Sequence, residues 1–142
     1  MSKWVVDTCV IIDILSGDGE FSVKSADAID MKRGDGLVIA PITYVELAPS
    51  FDGDSNRQDT TLSELGIEFD FGGSKDAVMA AYKAWHDHVR RKRTGQVAKR
   101  PIADIMIGAY AMQKGGLITR NEEDFRSLYP NLAIFNPIIM AT

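Results

Sequence analysis

Four short apolar runs, Trp4-Val5-Val6, Leu37-Val38-Ile39-Ala40, Leu117-Ile118-Thr119 and Leu132 to Phe135, are separated by stretches of helical character. A strand that is apolar at nearly every position is buried on both faces, and strands of that kind belong to parallel sheets covered by helices on either side. Parallel neighbours need crossover connections, which are right-handed almost without exception. The pattern therefore predicts an α/β fold. It is a three-layer α/β/α domain around a central parallel sheet of four or five short strands, with Ile67 to Phe71 as the weakest strand.

The intervening text supplies the helices. Cys9 to Leu15 follows Asp7-Thr8 and ends at Ser16-Gly17. Ser22 to Lys32 has a 3.6-residue apolar period, with Arg33-Gly34 read as a basic last turn and a glycine stop. Pro41 suits the first turn of a helix carrying Val45, Glu46 and Leu47 until Pro49 halts it. Phe51 to Asp59, rich in Asp, Ser, Gly and Asn, reads as a loop, and Thr61 to Leu65 as a short helix. Lys75 to Arg93 is the clearest amphipathic helix. Val78, Met79, Tyr82, Trp85 and Val89 mark its predicted buried face, so Tyr82 and Trp85 read as core. After a break at Gly95 to Arg100, Pro101 opens a helix whose residues Ile102 to Met112 are apolar on nearly every side, the mark of a central buried helix, closed by Gly115-Gly116. Glu122 to Leu128 forms a last short helix.

With 142 residues and 45% hydrophobic content, the chain builds one core, and residues 1–142 are expected to form a single domain. A formal net charge of -4 argues against a protein that coats DNA by neutralising phosphates, so any nucleic-acid binding has to be local. Cys9 is the only cysteine, which fits a reducing compartment. The apolar N-terminal stretch is broken by Asp7 and Asp13, and no uncharged run approaches the ~20 residues that span a bilayer. A soluble, cytoplasmic protein with no membrane partner is expected.

Ligands of open α/β sheets bind beyond the carboxyl ends of the strands, so the acids placed there carry the functional signal. Asp7 ends the first strand, Glu46 lies in the helix after the second, Asp104 opens the apolar helix before Leu117, and Asp124 follows that strand. Glu46 and Asp104 are embedded in apolar text, where a charge is expensive unless compensated. Converging carboxylates raise one another's pKa, and a hard divalent cation removes the penalty; an all-oxygen donor set selects Mg2+ or Mn2+ over zinc. Each acid taken singly also has a plainer reading. Asp7 could be an N-cap, Asp104 a first-turn acid, Asp124 a capping partner and Glu46 a surface residue. Four at one sheet edge are poorly explained by four accidents.

These acids sit in motifs. Asp7-Thr8-Cys9-Val10-Ile11-Ile12, Ile42-Thr43-Tyr44-Val45-Glu46-Leu47, Arg100-Pro101-Ile102-Ala103-Asp104 with Ile107-Gly108-Ala109, and Leu117 to Phe125 follow one another in order over nearly the whole chain. In this combination the chain resembles the PIN-domain ribonucleases and is most similar in size to VapC-like toxins of type II toxin–antitoxin modules. The resemblance implies Mg2+- or Mn2+-dependent endoribonuclease activity, an RNA substrate, a homodimer and inhibition by a small antitoxin protein. Carried over residue by residue, it implies Asp7, Glu46, Asp104 and Asp124 as the catalytic cluster. Asp7 and Asp104 would be direct metal ligands, and Thr8 and Thr119 secondary polar candidates. Asn121 stands where some relatives carry an acid, which leaves open how Asn121, Glu123 and Asp124 divide their roles.

Arg90, Arg91, Lys92, Arg93, Lys99 and Arg100 form a basic stretch with no acid, read as an RNA-binding rim or, more plainly, as a solvated helix end. His86 and His88, two apart on a helix, face different ways and do not suit one metal. Cys9 reads as a small buried residue rather than a nucleophile. An aspartyl phosphatase would want a second Asp where Cys9 stands, and a receiver domain a Lys after the last strand, where Leu132 to Pro137 offers none. The remaining rival is a catalytically silent PIN-like module that binds RNA or protein.

Overall fold

In the computed structural model, which describes residues 2–17, 19–69, 75–93 and 102–139, the apolar runs form one sheet of five short strands. They are β1 (Trp4–Val6), β2 (Leu37–Ile39), β3 (Ile67–Phe69), β4 (Gly116–Ile118) and β5 (Ile134–Phe135). The order is β3-β2-β1-β4-β5 and every neighbouring pair is parallel. Seven helices lie between them among the described residues: α1 (Thr8–Ser16), α2 (Gly19–Lys32), α3 (Pro41–Glu46), α4 (Ser55–Glu64), α5 (Lys75–Arg93), α6 (Ile102–Met112) and α7 (Glu122–Leu128).

Side-chain alternation along each strand divides the core in two. Val5, Val38 and Leu117 point to one face, where they meet Ile105, Tyr110 and Phe125 of the α6 and α7 layer. Val6, Leu37, Ile39 and Ile118 point to the other, against Val10, Ile11, Ile29 and Leu62 of α1, α2 and α4. β1, β2 and β4 are apolar throughout because both faces are covered, as the sequence predicts, whereas the edge strand β3 carries the exposed Glu68. From β1 the chain adds β2 and β3 on one side, then β4 and β5 on the other. This reversal of strand order opens a crevice beyond the carboxyl ends of β1 and β4, the place where such sheets bind ligands.

Several local readings are corrected. Gly34 does not stop α2. The chain runs on through a 3-10 turn at Arg33–Asp35, and Gly36, at φ 97°, takes the backbone conformation that favours glycine. Glu46 is the last residue of α3, and Pro49 sits inside a following 3-10 turn, Ala48–Phe51, so the helix ends before the proline. The polar segment read as loop is mostly helix. The Asp54 carboxylate accepts from the Arg57 N–H as an N-cap, the buried Gln58 amide donates to the Tyr44 carbonyl, and Leu62 is sealed in the core. One cap and two anchored side chains outweigh the poor helix propensity of Ser, Asn and Asp.

The face of α5 is also corrected. Met79 is 50% and Tyr82 70% exposed, while Ala80, Ala81, Ala84 and His88 turn inward as α5 packs on α6. Alanines let the two helices approach closely, and Met79 and Tyr82 are left outside; the side chains of Val78 and Trp85 lie outside what is described. Ile102, Met106 and Met112 are likewise exposed, so α6 is buried on one side only. On that side Gly108 admits the Tyr129 ring. A Cβ there would come within 2.4 Å of it, and the Tyr129 hydroxyl donates to the Ile105 carbonyl at 2.7 Å. The predicted break at Gly95 to Arg100 and the opening Pro101 lie outside the described residues.

Candidate active site

Asp7 immediately follows β1, at the crevice, and is 3% exposed. It occupies the N-cap position of α1 but makes no side-chain capping hydrogen bond, so the plain capping reading fails. Its Oδ2 instead accepts from Thr119 Oγ1 at 2.7 Å, at the end of β4, and from Cys9 Sγ at 3.2 Å. Thr119 is held in turn, because its Oγ1 accepts from the Asn121 N–H at 3.0 Å and its own N–H donates to the Phe135 carbonyl. The β1–β4 pairing therefore delivers a fully buried hydroxyl to the carboxylate.

Glu46 completes the other half. Thr8 Oγ1 donates to Glu46 Oε1 at 2.7 Å and lies 3.0 Å from Thr43 Oγ1, so the first residue of α1 ties down the last residue of α3. Burial holds the Asp7 carboxyl above the ordinary carboxylate range; the Glu46 charge adds to the rise, and the Thr119 and Cys9 hydrogen bonds oppose it. Burial, reinforced by the Asp7 charge, pushes the Cys9 thiol up to about 12, which removes it as a nucleophile.

The expectation that Glu46 and Asp104 are the expensive buried charges is corrected. Glu46 is exposed because α3 ends there, and Asp104 is half-buried in the first turn of α6; the buried charge is Asp7. α6 packs against β1 and α3, the elements that lead to Asp7 and carry Glu46. Asp124 is exposed in the first turn of α7, on a cleft of about 350 Å3 lined by Arg120, Asn121, Glu122, Glu123, Asp124 and Asn136. Among the described residues, no three His, Cys, Asp or Glu side chains lie close enough together to hold a metal ion between them. Asp7 and Glu46 thus offer two carboxylates with hydroxyl neighbours rather than a closed cage.

Of the basic segment, Arg90 is exposed and Arg91 Nη1 donates to the Ser127 carbonyl at 3.2 Å. Lys99 and Arg100 lie outside the described residues, as do the side chains of Lys92 and Arg93. His88 is buried and His86 exposed, so they do face different ways. One element was not read from the sequence. Arg120 grips Asp13 of α1 with Nε at 2.6 Å and Nη2 at 3.1 Å, Ser25 of α2 donates to the same carboxylate, and the guanidinium lies 4.4 Å from the Phe21 ring centroid. A lone acid in an apolar helix, and a cation next to Thr119, were the available signals.

The chain is thus an α/β protein with a doubly wound parallel sheet and a buried carboxylate at its switch point, the edge where open sheets of this kind bind ligands. The family model for the PIN domain matches residues 4–129, and the chain belongs to that family. In fold it is similar to the crystal structure of VapBC2 from Rickettsia felis bound to a DNA fragment from their promoter, with TM-score 0.66, 15% identity, and coverage of 94% of this chain and 97% of that one. It is similar also to FitAB bound to an IR36 DNA fragment, with TM-score 0.67, 17% identity, and 97% of each chain covered. No curated protein matches the chain by sequence.

Proposed function

We propose that the protein is a metal-dependent endoribonuclease, the toxin of a toxin–antitoxin pair, acting in the cytoplasm. Asp7, Glu46, Asp104 and Asp124 are its catalytic acids, and Asp7 and Asp104 would hold Mg2+ or Mn2+. Asp7 carries the reading. Asp13, a structural acid only partly buried, is neutralised by Arg120, whereas Asp7 is more deeply buried, sits beside Glu46, and has no ion pair among the described residues. A charge kept in that state at the ligand-binding edge is one that awaits a cation.

The donor set fits. Mg2+ retains several waters and takes only one or two carboxylates plus substrate phosphate oxygens, so Asp7 with one further acid, Asp104 on this reading, is enough without a full cage. When bound, such an ion polarises a phosphate oxygen and acidifies a water. The residues around it divide the remaining work. Thr119 orients the Asp7 carboxylate, Thr8 fixes Glu46, and the exposed Glu46 carboxylate faces solvent, where it orients the attacking water. Asp124, on the adjoining cleft, meets the substrate from the β4 side. Arg90, Arg91, Lys92, Arg93, Lys99 and Arg100 bind the RNA backbone. Family membership and the likeness in fold to VapBC2 and FitAB support a small antitoxin partner, and a homodimer is part of the same proposal.

The test is cleavage of labelled structured RNAs by the chain purified without any partner. Cleavage with Mg2+ or Mn2+ that stops in EDTA, and is absent in Asp7→Asn, is the expected result. Undiminished cleavage in excess chelator, or by Asp7→Asn, overturns the proposal.

A further inference from the structure

The exposed face of α5 has a composition that the packing of the domain leaves unexplained. At 100° per residue, Lys75, Met79, Tyr82, Lys83, His86 and Arg90 fall within an arc of roughly 100°, and all six are exposed. Asp76 and Asp87 fall outside that arc. Five described cations elsewhere are ion-paired, Lys3 with Glu68, Lys24 with Glu20, Arg33 with Asp30, Arg120 with Asp13 and Arg126 with Glu122, and three others, Lys32, Arg57 and Lys114, lie over the rings of Trp4, Phe51 and Tyr110. Lys83 and Arg90 make no ion pair among the described residues, although Asp87 stands one turn from each. On a chain of net charge -4, this strip is a local concentration of unneutralised positive charge around a ring that is 70% exposed.

We infer that this face of α5 is a track for single-stranded RNA, with the Tyr82 ring as a stacking platform and Lys83 and Arg90 as phosphate contacts; the inference rests on the nuclease reading and deepens it. Single-strand tracks combine cations that follow the backbone with aromatic rings on which bases stack, and they need no base-specific contacts. Tyr82 and Arg90 are separated by about 12 Å of helix rise. The C-terminal end of α5 lies beside α7, since Arg91 donates to the Ser127 carbonyl, and the first turn of α7 carries Asp124. The strip therefore ends near the helix that carries Asp124, although Arg91 itself lies outside the arc. A second copy of the chain is the poorer occupant, because a two-fold axis through the strip sets its cations against themselves.

The experiment measures binding of a fluorescein-labelled 12-nucleotide single-stranded RNA by anisotropy in EDTA, where no cleavage intervenes, alongside sedimentation velocity. Tyr82→Ala is expected to weaken binding at least ~5-fold and Tyr82→Phe to restore it, since stacking needs the ring and not the hydroxyl. Lys83→Gln with Arg90→Gln is expected to flatten the log–log salt dependence by roughly 0.7 per lost contact. Unchanged affinity in Tyr82→Ala, with an unchanged salt slope in the double variant, overturns the track. So does conversion of a dimer to a monomer by Tyr82→Ala with affinity per protomer intact, which makes the strip an interface between copies. Tyr82-dependent binding by a chain that cleaves no RNA with Mn2+ removes the nuclease reading and leaves the track standing.

Discussion

Asp7 and Asp124 lie at the same edge of one sheet and are built in opposite ways. Asp7 is buried, holds two side-chain hydrogen bonds, and is raised in pKa by its surroundings. Asp124 is exposed, and among the described residues its carboxylate makes no hydrogen bond or ion pair. A solvated acid costs the fold almost nothing and can follow a substrate. A buried one must be stabilised by neighbours at fixed positions, here Thr119 across the β1–β4 pairing. Under the proposed function, Asp7 sets the geometry of the site and Asp124 adapts to what is bound.

The largest expected effect tests that ranking directly. Asp7→Asn should lower RNA cleavage by at least ~100-fold and Asp124→Asn by clearly less, measured as kcat in single-turnover assays with saturating Mn2+. Equal losses would erase the contrast between the two acids. Next comes Thr119→Val, which keeps shape and removes the donor to Asp7. An activity loss of roughly 10- to 100-fold is expected, as for other partners that orient a metal-binding group. Because the lost hydrogen bond lowers the Asp7 pKa, the acid limb of the pH–rate profile should also move to higher pH. A profile that stays in place means Thr119 only packs.

The Asp13–Arg120 pair shows what a structural acid looks like in this molecule, and its removal should read out as stability. The two side chains are 12% and 25% exposed, so partial screening reduces the effect of a broken pair; Asp13→Asn should cost about 1 to 2 kcal/mol in urea unfolding. Asp7→Asn should behave in the opposite way and give the smallest effect, a metal-free protein as stable as the wild type or slightly more so. The sign follows from the raised pKa. Native Asp7 binds a proton at a pH where the unfolded chain does not, so its contribution is favourable below the unfolded pKa and is lost as pH rises through the higher folded value. The wild type should thus fall behind Asp7→Asn as pH rises towards neutrality in EDTA, and added Mn2+ should stabilise the wild type more than the variant. Thermal unfolding across pH with EDTA and with Mn2+ makes the comparison. Equal destabilisation by Asp7→Asn and Asp13→Asn, with no gain from Mn2+, would make both acids structural.

Local chemistry determined the layered fold. Short strands that are apolar throughout belong to a sheet covered on both faces, Pro41 starts a helix, and an acid directly after Val6 has to stand at the carboxyl edge of the sheet. Those inferences hold because each depends on residues within a few positions of one another. What only the tertiary structure decided was which side of an element is covered and which polar group meets which. Nothing near Tyr82 in the sequence says that Ala80, Ala81 and Ala84 turn towards the core while Met79 and Tyr82 stay exposed. Nothing near Ser55 says that Gln58 finds the Tyr44 carbonyl and so converts polar text into helix. Glu46 sits in apolar text and is exposed because α3 ends under it, while Asp7, at a strand end, is buried because Thr119, 112 residues away, closes over it. Burial is a property of the partner as much as of the residue, and the partners here are brought in by the parallel crossovers.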